Sequence, residues 1–149
     1  MNDSQREGKI VAVQLCPGHR KSMLPVEFAE AVEKSGLNGD VHALPDSSRQ
    51  VLLIEEETLD RYDLIPGQVK ENITTRGISL MSLPRGSRLH IGSQVILEIT
   101  KACSPCSRMD EIRKGLRLEL AGKRGMLARI VAGGIVRRGD AIRVAGREA

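Results

Sequence analysis

The sequence predicts a β-dominated α+β fold: a compact mixed β-barrel of many short strands with a few short helices. Three observations predict it. No apolar run is longer than the four residues of Val51-Leu52-Leu53-Ile54, and the runs are rich in β-branched residues. Turn-forming Gly, Pro, Asn and Asp residues punctuate them at short intervals. Few stretches place apolar residues at helical spacing. Frequent short strands between turn signals favour a closed β architecture over a doubly wound sheet.

Taken in order, residues 9–15 (KIVAVQL) read as a strand that stops at Pro17-Gly18. Residues 26–35 (VEFAEAVEKS) place Val26, Ala29, Ala31 and Val32 near helical spacing and end at Gly36, so a helix is expected there. Residues 37–48 form a loop dense in Asn, Gly, Asp, Pro and Ser, and 49–54 a buried strand. Residues 55–64 form a short helix ending at Ile65-Pro66-Gly67. Extended pieces follow at 72–75, 88–91 and 94–100. Residues 107–121 are the strongest helix candidate, with Met109, Ile112, Leu116 and Leu120 in one stripe interrupted by Gly115. Three closing strands are expected at 126–132, 135–138 and 141–144. No repeat or linker is visible, so the 149 residues read as a single domain.

The bulk composition bounds the function. The chain is 40% hydrophobic and 28% charged, ordinary globular usage that does not favour disorder. Its apolar runs fall far short of the ~20 residues a spanning helix needs. The polar start, Met1 to Lys9, lacks the apolar core of a signal peptide, so a cytoplasmic location is expected and no membrane association. With 23 basic and 19 acidic residues the net charge is a mild +4. One Phe, one Tyr and no Trp leave almost no platform for base stacking, which argues against single-stranded nucleic acid. The basic bias suits a small anionic ligand at least as well.

The chemistry concentrates in residues 100–108 (TKACSPCSR). Here Cys103 and Cys106 form a C-x-x-C pair, followed by the expected helix. Free N–H groups at a helix start, with Lys101 and Arg108 alongside, favour a thiolate, the form that binds a soft metal or passes on sulfur. Two small cysteines filling a strand-to-helix corner would look the same. A structural zinc site needs four ligands, and the remaining candidates, Cys16, His19, His42 and His90, are scattered. The stretch 66–77 (PGQVKENITTRG) offers Lys70, Asn72, Thr74, Thr75 and Arg76 as donors for a polar, phosphate-bearing ligand, although on the residues alone loop capping, with Lys and Arg in water, accounts for them better. Asp40 and His42 stand two apart in GLNGDVHA (36–43), where either acid–base chemistry or an Asx turn is open.

Four blocks in order, 36–43 (GLNGDVHA), 49–56 (RQVLLIEE), 66–80 (PGQVKENITTRGISL) and 103–108 (CSPCSR), together with the tail 125–144, resemble the MOSC family, named for the C-terminal domain of molybdenum-cofactor sulfurases. The resemblance covers nearly the whole chain. It implies a strand barrel similar to the pyruvate kinase β-barrel-like fold. It also implies binding of the molybdenum cofactor (molybdopterin) or carriage of sulfur. By similarity to the amidoxime-reducing relatives, Cys106 matches the metal's protein ligand and the catalytic cysteine. Lys70, Asn72 and Ser104 match residues that line the cofactor, with Arg76, Lys21 and Ser22 beside them, and Cys103, Asp40 and His42 are further candidates.

Those relatives reduce small N-hydroxylated compounds. The blocks do not extend to their N-terminal module, and no ferredoxin-like cysteine set or flavin motif is readable, so an electron-donating reductase is the expected partner. Three functions remain open: a cofactor-binding oxidoreductase domain, a sulfur carrier and a non-catalytic binding module. As a carrier, Cys106 would accept a persulfide from a desulfurase. Pyridoxal phosphate, associated with the family, would belong to that partner, because no lysine environment for it is readable here.

Overall fold

The computed structural model describes residues 6–145. Among them the strands are β1 (Glu7–Leu15), β2 (Leu24–Val26), β3 (Phe28–Val32), β4 (Gly36–Leu37), β5 (Val51–Glu55), β6 (Ile73–Arg76), β7 (Arg88–Ile91), β8 (Val95–Ala102), β9 (Met126–Ala132), β10 (Gly134–Arg137) and β11 (Ala141–Val144). The helices are α1 (Glu56–Arg61), α2 (Arg108–Ile112) and α3 (Leu116–Glu119). Strands β11, β7, β8, β9, β5, β6 and β1 pair in that order, and β1 pairs back onto β11, which closes a seven-stranded barrel. Strand β2 extends the sheet beyond β1, and β10, β3 and β4 form a separate three-stranded sheet. The β5–β6 pair is parallel and the others are antiparallel, so the barrel is mixed.

Period-two patterning builds the wall. In β8 the buried positions are Val95, Leu97 and Ile99, which enter the barrel core with Ile10, Leu53 and Ile73. Strand β5 has no solvent face. Val51 and Leu53 point into the barrel, whereas Ile54 joins a second apolar cluster outside it with Leu59, Leu64, Val69, Met109, Leu116 and Leu120. This second cluster positions the site, because it packs α1, α2, α3 and the 64–72 loop onto one flank of the wall. Gly125 allows the chain to run close to β5: a Cβ there would lie 2.3 Å from the carbonyl oxygen of Leu53, at a φ of +110°.

Two expected helices differ. Residues 26–35 form β2, β3 and a turn. In β3 the inward residues are the small Ala29 and Ala31, while Phe28 and Val32 face outward at 55% and 40% exposure. The helical spacing of Val26, Ala29, Ala31 and Val32 is thus incidental, and pairing of β3 with β10 and β4 prevails over it. The helix expected over 107–121 is two short pieces. Gly115, at φ +89°, turns the chain between α2 and α3, so the apolar stripe survives as packing but not as one helix.

Candidate functional site

Strand β8 leads into the cysteine loop through a bulge between Ile99 and Lys101. Its extra residue, Thr100, is fixed by donating its hydroxyl to the carbonyl of Leu127 at 3.1 Å. Cys103 still belongs to the ladder, since its N–H donates to the carbonyl of Gly125 at 2.9 Å. Its sulfur is buried against Leu52 and Leu127. Beyond it the chain leaves the wall. Ser104 and Cys106 are exposed, and Cys106 accepts from the N–H of Met109 at 3.0 Å as α2 begins. All three cysteines, Cys16, Cys103 and Cys106, are free thiols, and Cys106 alone is exposed. With α2 only five residues long and Ser107 making no side-chain cap, the helix-start effect on Cys106 is smaller than the sequence suggested.

The loop after β1 converges on this corner. Arg108 Nη2 lies 2.8 Å from His19 Nε2, and Arg20 pairs with Glu111 at 3.4 Å. On its other side, Lys70 donates from Nζ to the carbonyl of Lys21 at 2.9 Å. Lys70 adopts φ +71°, an uncommon conformation for a side-chain-bearing residue, which turns the loop here. Ser22 and Lys70 share a cleft of about 370 Å³ with Gln14, Met23 and Gly67. The structure therefore brings Lys21, Ser22 and Lys70 together, and ties their loop to the helix that follows Cys106.

Asp40, Asn72 and His42 form a different arrangement. The carboxylate of Asp40 accepts from the N–H of Cys16 at 2.6 Å, the N–H of His42 at 3.0 Å and Asn72 Nδ2 at 3.0 Å, with His42 Nδ1 at 3.3 Å. Burial pushes its pKa up, but the bonds from His42 and Cys16 outweigh that and hold it below the ordinary range. Asn72 is equally committed: its Oδ1 accepts from the N–H of Leu52 and its Nδ2 also reaches the carbonyl of Gln14. These two side chains staple the ends of β1, β5 and β6 together. Arg76 is turned away, paired with Glu56 and Asp60 of α1.

A model of the MOSC domain matches residues 38–143. This chain belongs to the MOSC domain family. As a fold, the MOSC domain is similar to the YuaD protein of Bacillus subtilis, with a TM-score of 0.79 at 17% identity over 95% of this chain and 97% of that one. It is likewise similar to YiiM of Geobacillus stearothermophilus, at 0.74 and 17% over 94% and 76% of the two chains. For YiiM of Escherichia coli the values are 0.71 and 16%, over 95% and 71%. No curated protein matches the chain by sequence.

Sequence reasoning missed the most unusual residues of this MOSC domain. Arg124, 5% exposed, donates from Nη2 to the carbonyl of Val69, while its Nε and Nη1 have no partner. Glu71, fully buried, accepts from the N–H of Gly67 at 2.8 Å and the hydroxyl of Thr74 at 2.7 Å, and its Oε1 is bare. Burial lowers the pKa of Arg124, opposed by the nearby Cys103 sulfur, Glu71 and Cys106. Arg124 stands next to Lys123 and just past the apolar stripe, where nothing local marks it as buried.

Among the described residues no three His, Cys, Asp or Glu side chains are placed to hold a metal ion together, so a zinc site built on Cys16, His19 and the cysteine pair finds no support. One exposed soft thiol, with Arg108 two residues on and the buried, only partly partnered guanidinium of Arg124 within its electrostatic reach, is a fitting donor set for an anionic group carrying a soft metal.

Proposed function

We propose that this MOSC domain binds the molybdenum cofactor through Cys106 and works as a cytoplasmic oxidoreductase domain on small N-hydroxylated compounds. The observation that carries this reading is that three segments, one of them holding the exposed Cys106, are joined side by side. The 16–22 loop meets the 66–72 loop through Lys70–Lys21 and the 103–112 corner through His19–Arg108, and Arg124 bonds Val69 of the 66–72 loop. When bound, the cofactor would supply a redox-active metal, and electrons would come from a partner reductase.

The chain's own residues have defined parts. Cys106 offers the sulfur ligand at a corner open to solvent. Lys70 and Ser22 border a cleft suited to a phosphate, with Lys21 next to Ser22 in the chain and Ser104 exposed two residues before Cys106. Asn72 acts indirectly, by fixing the backbone at the start of β6. Cys103 packs under the loop and keeps Cys106 off the wall.

The test is elemental analysis of protein purified anaerobically from a host that makes the cofactor, with Cys106→Ala in parallel. Near-stoichiometric molybdenum in the wild type only is expected. Metal retained by Cys106→Ala overturns Cys106 as the ligand. Absence from both samples turns the same exposed thiol into a candidate persulfide carrier, to be settled by trapping with a desulfurase and cysteine.

A further inference from the structure

Arg124 is costly to keep where it is. A buried guanidinium with one protein hydrogen bond forgoes most of its hydration, a penalty of several kcal/mol unless charge or hydrogen bonding offsets it. Glu71 offsets only part of it: its Oε2 is taken by Gly67 and Thr74, and its Oε1 makes no contact with the guanidinium. The remaining compensation lies on the other side. The ladder bond from Cys103 to Gly125 puts Arg124 one residue from the pairing at which the cysteine loop begins. The Nη2 bond to Val69 anchors the group toward the Lys70 loop. Its Nε and Nη1 are thereby left buried without a partner, within electrostatic reach of Cys103 and Cys106.

We propose that Arg124 is a specificity-determining residue of the cysteine site, selecting an anionic ligand over a neutral one of the same shape at Cys106. The ligands it favours are those bearing negative charge on oxygen or sulfur next to the reacting atom. Being buried and pinned, it acts with little screening, whereas the exposed Lys101 and Arg108 are attenuated by water and salt. The inference rests on Cys106 being the reactive centre and does not need molybdenum, so an absence of metal leaves it standing.

The test compares alkylation of Cys106 in the native protein by iodoacetate, an anion, and iodoacetamide, its neutral analogue, with sites read by mass spectrometry. Taking the ratio of the two rates cancels changes in thiol ionisation and accessibility. Arg124→Gln is expected to lower the iodoacetate-to-iodoacetamide ratio about threefold to tenfold, and Arg124→Lys to restore most of it. A ratio unchanged in Arg124→Gln, or a lysine variant no better than glutamine, overturns the proposal. Should Arg124→Gln fail to fold, a Lys101→Gln/Arg108→Gln double variant decides. Its native ratio is expected to stay at least about threefold above that of the same protein unfolded in urea. A fall to the unfolded value assigns the effect to the surface cations and removes Arg124 from the role.

Discussion

Asp40 and Asn72, 32 positions apart, share a buried hydrogen bond of 3.0 Å, and through it the 36–43 loop is fastened to the start of β6. Each residue also holds a backbone N–H of another segment, Cys16 for Asp40 and Leu52 for Asn72. Removing Asp40 strands three buried or half-buried donors at once. Asp40→Ala is expected to destabilise the domain by about 3 kcal/mol, read from urea unfolding midpoints. A loss below about 0.5 kcal/mol would show that water replaces the carboxylate freely.

The same carboxylate sets the acid limb of stability. Asp40 is held below its ordinary range, so its contribution is complete above an unfolded value of about 3.9 and disappears as pH falls through the folded value. Glu71 and Glu55 behave oppositely. Burial raises both, so their charged forms weaken the fold once pH rises through their folded values, and protonation relieves this on the way down. Stability is expected to rise as pH drops from neutral toward about 4.3, the unfolded glutamate value, and to fall below about 3.9. Glu71→Gln should flatten the first limb and leave the second. Thermal melts across pH measure both, and an unchanged first limb in that variant would remove Glu71 as its source.

Thiol labelling should separate the three cysteines by burial. Cys106 is exposed, while Cys16 and Cys103 are 6% and 8% exposed. Native protein treated with a maleimide is expected to gain one label rapidly, at Cys106, and the other two only on unfolding. Comparable native rates at Cys103 would mean that the corner opens readily, and the division of labour within the C-x-x-C pair would not hold.

The approach of β9 to β5 depends on Gly125. Gly125→Ala would force a Cβ against the carbonyl of Leu53 in a conformation that disfavours side chains, with an expected loss of at least about 2 kcal/mol. Gly86→Ala meets nothing within 4 Å, so it carries only the strain of its φ of +91°, about 1 kcal/mol. Chemical denaturation of the pair checks the difference, and equal losses would mean that β9 shifts to accommodate the methyl group.

Much of this was readable from residues alone. Strands β7, β9 and β11 fall where alternation and glycine punctuation place them. The strand-to-helix turn at Cys103 and Cys106 was equally visible, although C-x-x-C by itself does not separate a reactive pair from two packed thiols. What failed was period: Val26, Ala29, Ala31 and Val32 fit a helical spacing, but in β3 only the two alanines point inward and Val32 faces out. The site's floor was invisible for another reason. Nothing local distinguishes Arg124 from a solvated arginine, since its burial is produced by segments some 20 and 55 positions away, at Cys103 and Val69. Nor does the motif around Asn72 tell a ligand-lining amide from a stapling one. Its partners, Asp40, Gln14 and Leu52, come from three other segments.

Closure of the barrel sets Glu7 opposite Arg143 and Lys9 opposite Ala141. During synthesis, β1 emerges first and waits for a strand that emerges more than a hundred residues later. Until then β1 and β7 each present an unpaired edge, a template for strands of other chains. The domain is therefore most vulnerable to misassembly on the ribosome, and stalled or truncated chains lacking β11 should be its aggregation-prone species.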